Sequence, residues 1–396
     1  MATITELQMR LSNLRRELAA QDAPAFALTN SVNISYLTGM GGLVDEEDPH
    51  CALVTADEAL LFTDSRYVET ARQQASLSPV IASEAEGRAR QSSDFANGSE
   101  PFSSLWQVEE SRSAGALQEV ARALSERSIT SVLLEDTMSY RKYQQWESRL
   151  AQEEVAARGA SLIVEGLRRH KDASEVAAIA AAQDITDAAF AHMLAFMKIG
   201  MTELEIAAEL EHTMRLLGAS GLAFPSIIAS GPNGAKPHAV PSSRQIEPGD
   251  LLVMDFGAQL AGYCSDMTRT VAFGDPGQEA RQVYELVAAA QLAALGVIAA
   301  GKSGKEVHES ARAVIVAGGY GDNFGHGLSH GLGLKVHETP ACSQQSPDIL
   351  EAGDVISVEP GIYLPGRFGV RIEDLVTVTT EGLHNFTASP KELIIL

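Results

Sequence analysis

The sequence predicts two domains of different class. The first, over residues 1–160, is an α/β domain with a mixed sheet; the second, over 170–396, is an α+β domain of helices packed on antiparallel hairpins. Three observations lead there. The chain has 396 residues, too many for one ordinary domain. Its first part alternates short apolar runs with polar helical stretches. Beyond LRRHKDASE, long Ala-rich helices are interspersed with apolar strand pairs joined by glycine-containing turns.

The elements follow in order. MATITELQMRLSNLRREL has the spacing of an amphipathic helix and lacks a signal-peptide apolar core. Strands are expected at PAFALTN, HCALVTA, EALLFTD and SVLLEDT, and helices over 67–75 and 116–125. Residues 85–105 are polar and read as a surface loop. Asp172 and Glu175 have the spacing of a capping box that opens a helix running to about 198. Further helices are expected at about 203–217, 277–299 and 304–317. The most apolar run, 286–300, spans 15 residues and includes Gln291, which is short for a membrane span and right for a buried helix.

Composition narrows the function classes. Apolar residues make up 45% and charged residues 21%, as in soluble enzymes. A net charge of −22 argues against nucleic acid or an anionic membrane as partner, because phosphate binding needs a basic surface. Cys51, Cys264 and Cys342 are widely spaced with no CxxC, so neither a disulfide scaffold nor a cysteine-ligated zinc is expected, and a reducing cytoplasm fits.

Chemistry concentrates on two hairpins. In LLVMDFGAQLAGYCSDMTRTVAF, a turn centred between Leu260 and Ala261 would place Asp255 directly opposite Asp266. In VISVEPGIYLPGRFGVRIEDLVTVT, a bend near Gly366 would oppose Glu359 and Glu373, with Tyr363 and Arg371 in phase on the same face. Like charges so close destabilise a hairpin unless something neutralises them. His326, His330 and His337 crowd into GHGLSHGLGLKVHE among four glycines, and His238 lies in SGPNGAKPHAVPSS. The glycine run lacks the Gly-Lys-Ser/Thr ending of a phosphate loop, and HEXXH is absent. Four carboxylates and an imidazole make an oxygen-rich set suited to two bridged divalent cations.

These motifs resemble the pita-bread metallopeptidases, in the Xaa-Pro branch that contains aminopeptidase P and prolidase. The carrying residues are the aspartates of MDFG (Asp255) and SDMTRT (Asp266), the histidine of SHGLG (His330), and the glutamates of VEPG (Glu359) and RIED (Glu373). More loosely, NISYLTG and LLFTDSRY resemble the creatinase-like N-terminal domain of that branch. Ser329 stands where glycine is usual, a form shared with some aminopeptidases P.

The resemblance implies a creatinase-like α/β domain before an α+β pita-bread catalytic domain. It implies that those five residues ligate two divalent cations, Mn²⁺ first, with Co²⁺, Zn²⁺ or Fe²⁺ as alternatives, and a hydroxide between them. Glu359 would also be the general base, with His238 near the scissile nitrogen and His337 on the oxyanion. His326 and Tyr363 would shape the proline subsite, and Arg371 would hold Glu373 or a substrate carboxylate. The implied substrates are short peptides with proline in second position, and the implied assembly is a homodimer. The acidic segment VDEEDPH (44–50) reads as a solvated loop, with reach into a neighbouring subunit's active site as the alternative. Creatinases, ring hydrolases, a sulfonium lyase and binding modules share the fold, so fold alone does not decide the activity.

Overall fold

The computed structural model describes residues 2–40, 50–77, 105–111 and 115–396. Residues 44–49 of the acidic segment, and the 85–105 loop up to residue 104, lie outside the described residues. The chain divides into two compact units, Met1–Arg168 and Arg169–Leu396.

The first unit is built on a mixed sheet of six strands: β1 (Ala25–Leu28), β2 (Cys51–Thr55), β3 (Ala59–Thr63), β4 (Gln107–Glu110), β5 (Ser131–Glu135) and β6 (Ala156–Ala160), in the order β4-β3-β2-β1-β5-β6. β1 through β3 pair antiparallel, while β4, β5 and β6 join parallel. The apolar runs expected to be strands form β1, β2, β3 and β5, which are buried almost throughout. The edges β4 (QVEE) and β6 (AARGA) are mostly solvated and carry no apolar pattern to read. Helix Ile4–Ala20 covers the first unit with Leu7, Leu11, Leu14 and Leu18, the expected amphipathic face. Glu135 ends β5 and accepts Thr29 N–H (2.6 Å), Asn30 N–H (2.8 Å) and Asn33 Nδ2 (2.7 Å), which ties the start of helix Ser31–Thr38, the one after β1, to the sheet.

The second unit packs two helix pairs on antiparallel strands. Asp172 and Glu175 form the expected reciprocal cap, and the helix they open runs Ala173–Phe196. Helices Glu203–Leu216, Gln278–Leu295 and Gly304–Ala317 fall where the spacing puts them. The 286–300 run differs from the expectation of a buried helix. The helix ends at Leu295, and Leu292 is 69% exposed because only one face meets the core.

The strands are β7 (Gly221–Leu222), β8 (Ile227–Ser230), β9 (Leu251–Phe256), β10 (Ala258–Leu260), β11 (Tyr263–Cys264), β12 (Met267–Ala272), β13 (Ser329–Gly331), β14 (Glu338–Cys342), β15 (Val355–Val358), β16 (Gly361–Leu364), β17 (Phe368–Arg371), β18 (Asp374–Val378) and β19 (Leu383–Asn385). They form sheets β12-β9-β8, β11-β10-β7, β14-β13-β15-β18-β19 and β16-β17. The first helix pair packs Phe190, Ile206 and Leu210 on Met254 and Val271; the second packs Val287, Val307 and Ala311 on Ile356 and Val376.

Both halves repeat one device. Thr202 with Glu205, and Ser303 with Glu306, cap the second helix of each pair. Just before these caps, Gly200 N–H reaches Ile246 O (2.9 Å) and Gly301 N–H reaches Leu350 O (2.7 Å). The following strands are entered through IEPGD (246–250) and LEAGD (350–354), where Gly249 (φ 91°) and Gly353 (φ 95°) take left-handed turns. Asp250 pairs with Arg244 and Asp354 with Arg169. Asp255 and Glu359 each follow five residues later, so the two halves deliver their first acid by the same route.

Candidate metal centre

The hairpin registers decide where the acids go. β9 and β12 pair with Asp255 opposite Thr268, so the expected direct opposition of Asp255 and Asp266 is corrected. The turn is Ala261-Gly262, both left-handed (φ 51° and 87°), a primed two-residue turn that moves the centre by one position and the register by two. A shift of two preserves the face, so the acids still converge. In the second hairpin the register is the expected one. Gly361 faces Arg371, and Val358 faces Asp374, which leaves Glu359 and Glu373 opposed between the two ladders. Their backbones turn outward there: Glu359 N–H bonds Leu328 O (2.9 Å) and Glu373 N–H bonds Thr268 O (3.0 Å).

Ligand atoms of Asp266, His330 and Glu373 lie within 4.8 Å of one another. His330 Nε2 is 3.6 Å from Asp266 Oδ2 and 3.4 Å from Glu359 Oε1. His330 Nδ1 sits 3.1 Å from Gly331 O, so its proton goes to that carbonyl and the Nε2 lone pair faces the acids. Asp255 Oδ1, Asp266 Oδ1 and Glu373 Oε1 are buried without a hydrogen-bond partner. Burial, reinforced by the neighbouring carboxylates, holds the Asp266 and Glu373 carboxyls well above the ordinary range. Burial also pushes Glu359 up to about 7, against the pull of Arg371. Buried carboxylate oxygens with no donor, beside an imidazole with a free lone pair, form a donor set that fits divalent cations.

Arg371 departs from the expected partner. Its guanidinium bonds Asp255 Oδ2, and Nε donates to Thr268 Oγ1 (3.0 Å) and Nη1 to Tyr363 Oη (2.8 Å); it does not pair with Glu373. Glu373 takes the Thr268 hydroxyl instead (2.7 Å). From Tyr363 the chain continues to His326 Nε2 (3.0 Å), whose Nδ1 proton goes to Gly327 O (2.7 Å). Burial lowers His326 to about 4, so it stays neutral and accepts from the tyrosine.

A cleft of about 520 Å³ opens over these groups, lined by Asp255, Asp266, His330, Glu359, Arg371 and Glu373 and also by His238, His326 and His337. His337 meets the His330 ring edge-on at 4.5 Å. Tyr363 lies behind the cleft wall, reaching it through Arg371 and His326. Sequence reading passed over Thr268 and over Ser357, which accepts His330 N–H (3.1 Å) and donates to Glu359 Oε1 (3.2 Å). Both were in reach of it, since each sits two residues from an acid and shares its face.

Two family models match: the creatinase/prolidase N-terminal domain over residues 10–170, and metallopeptidase family M24 over 177–380. The chain belongs to metallopeptidase family M24. The pita-bread resemblance is thereby confirmed, and as an M24 metallopeptidase the protein works with divalent metal ions. An uncharacterized peptidase of Bacillus subtilis is 37% identical over 389 residues, 98% of this chain and 100% of its own. A solved Xaa-Pro dipeptidase from Bacillus anthracis is similar with a TM-score of 0.86 and 36% identity, covering 98% of this chain and 100% of that one. An X-Pro aminopeptidase from Thermotoga maritima gives 0.83 and 32%, covering 98% and 99%. No helix among the described residues of this M24 peptidase is long and apolar enough to cross a membrane.

Proposed function

We propose that this M24 peptidase is an exopeptidase that hydrolyses the bond before proline in Xaa-Pro peptides, with Asp255, Asp266, His330, Glu359 and Glu373 holding two divalent cations. The observation that carries this reading is the set of three buried carboxylate oxygens with no donor. Mn²⁺ is the expected cation, with Co²⁺, Zn²⁺ or Fe²⁺ as alternatives. Bound cations would supply a water of lowered pKa and positive charge for a developing oxyanion.

The remaining work falls to side chains. Glu359, oriented by the Ser357 hydroxyl, holds the proton and delivers it to the proline nitrogen. His337 donates to the carbonyl oxygen as charge builds there. His238, on the rim, faces the scissile nitrogen. His326, kept neutral by burial and oriented by Tyr363, walls the proline subsite. Arg371 holds Asp255 in place.

That last commitment bears on substrate length. A strict dipeptidase needs a cation or hydrogen-bond donors for the carboxylate of its terminal proline. Among the described residues lining the cleft, the only arginine or lysine is Arg371, and its guanidinium is taken by Asp255, Tyr363, Thr268 and the Pro237 carbonyl. We infer an enzyme that releases the first residue of longer Xaa-Pro peptides and also accepts dipeptides. The resemblance supports a homodimer, and the widely spaced cysteines with no CxxC support a reducing cytoplasm.

The test compares kcat/KM for Ala-Pro, Ala-Pro-Ala and Ala-Ala on the Mn²⁺-loaded protein. Cleavage of Ala-Pro-Ala at least as well as Ala-Pro is expected, with Ala-Ala poor. Cleavage of Ala-Pro alone would overturn the length assignment, and failure on both proline peptides would move the weight to a non-peptidase hydrolase.

A further inference from the structure

We propose that Glu203 is a positioning residue for the reaction: its carboxylate closes the 230–242 segment into a fixed loop and so holds His238 over the cleft. The inference rests on the Xaa-Pro reading for the role of His238. Glu203 is fully buried at the start of helix Glu203–Leu216. One carboxylate oxygen accepts Ser230 N–H (2.7 Å) and Ser230 Oγ (2.8 Å), and the other accepts Ser242 N–H (3.0 Å) and Ser242 Oγ (2.6 Å). Asn233 Nδ2 reaches both (3.1 and 3.2 Å). The two serines are the two ends of the excursion, so a single anion pins its entry and its exit.

The helix does not need this group. Thr202 and Glu205 complete the capping box, so Glu203 is spare as far as helix stability is concerned. The internal repeat makes the same point. In the other half, Ser303 and Glu306 form the matching box, and the residue after the serine is Gly304. A Cβ there would lie 2.3 Å from Ala341 O, so that half packs backbone directly against the helix start. Only the half that carries His238 places a carboxylate at this position.

The loop contributes Pro237, His238, Ala239, Val240 and Pro241 to the cleft. His238 is exposed, and no hydrogen bond among the described residues fixes its ring, so the loop backbone sets its place. Beneath, the loop touches β17 at Gly234 and Gly369, where a Cβ on Gly369 would meet Gly234 O at 1.9 Å. Arg371 Nη1 donates to Pro237 O (3.3 Å). Burial alone would raise the Glu203 carboxyl, but the donors from Ser242, Ser230 and Asn233 outweigh it and hold it below its ordinary value. The donors therefore meet an anion at neutral pH. A glutamine would turn an amide N–H₂ toward one serine's donors and release that end of the loop.

The experiment is Glu203→Gln in the full-length, Mn²⁺-loaded protein. Hydrogen exchange of the amides over 232–241 should quicken at least about tenfold, while helix Glu203–Leu216 stays protected. Turnover of Ala-Pro-Ala should fall on the order of tenfold to a hundredfold, the scale for a misplaced catalytic group. In a His238→Ala background the same change should cost nothing further, because both act through one side chain. Unchanged exchange, or losses that multiply across the two sites, would overturn the proposal. If Glu203→Gln fails to fold, Ser242→Ala should show the same exchange pattern and the same non-additivity at smaller amplitude, and its failure to do so is equally decisive. An inactive wild type would sink the Xaa-Pro reading, while the exchange arm would still report whether Glu203 holds the loop.

Discussion

Glu359 shows what can and cannot be read one residue at a time. An acid that interrupts VISV–PGIYL cannot be an ordinary surface charge, so its convergence with Glu373 was legible from strand periodicity. Arg371 was harder. Periodicity places it on the acids' face, but its partner comes from a strand more than a hundred residues away, and Asp255 wins over the nearer Glu373. Glu373 instead takes one hydrogen bond on Oε2 from Thr268, a residue with no charge to draw attention, and keeps Oε1 without a donor. For Glu359 the prediction follows from its two contacts. Glu359→Gln keeps the side-chain volume and the Ser357 hydroxyl as neighbour, so the fold should be retained. It removes the group proposed to move the proton, and kcat on Ala-Pro-Ala should drop by at least about 10²-fold. Near-normal turnover in that variant would show that another residue handles the proton.

Among the elements, burial decided legibility. β1, β2, β3 and β5 are inner strands and announce themselves as apolar runs, whereas β4 and β6 are solvated edges with no pattern. In the hairpin of Asp255 and Asp266 the turn lies one position beyond the one the sequence predicts, because nothing in the sequence marks Ala261 as left-handed; alanine at φ 51° is uncommon. The same hairpin hides a tight spot. At Gly257, between β9 and β10, a Cβ would lie 1.9 Å from Ser265 O, so only glycine lets the two backbones approach where Asp255 and Asp266 flank them. Backbone cannot rotate away as a side chain would. Gly257→Ala should therefore force the strands apart, at a cost of roughly 1–3 kcal/mol or more, and should weaken Mn²⁺ binding along with stability. Calorimetric titration with Mn²⁺ beside a thermal melt checks both, and an unchanged affinity would mean that the acids are not held by this contact.

Across the whole catalytic unit, two copies of one helix-pair-and-hairpin device converge their acids on a single cleft, and the proposed cations would reconcile them. The likeness of the two halves becomes plain in the structure, where Gly200 and Gly301 bond matching carbonyls and Asp250 and Asp354 each pair with an arginine. Without cations, the convergence is a strain on the fold: burial and mutual repulsion raise the carboxyls of Asp266, Glu373 and Glu359, the last to about 7. A carboxyl raised in the folded state keeps its proton where the unfolded chain, titrating at about 4, has already lost it. Those groups therefore favour folding at low pH, and that contribution drains away as pH climbs from the unfolded carboxyl range through the raised values. Cations reverse the trend, since they take the place of the protons and bind more tightly as pH rises. The gap in Tm between Mn²⁺-saturated and cation-free protein should accordingly widen between pH 5 and pH 7. If binding releases one proton, each pH unit adds about 1.4 kcal/mol of linked stabilisation, or roughly 3–6 °C for a domain of this size. Scanning calorimetry at pH 5, 6 and 7, with and without saturating Mn²⁺, measures the gap directly. A gap that stays flat or narrows would mean that the buried acids are already ionised in the cation-free protein, and that something other than a cation neutralises them.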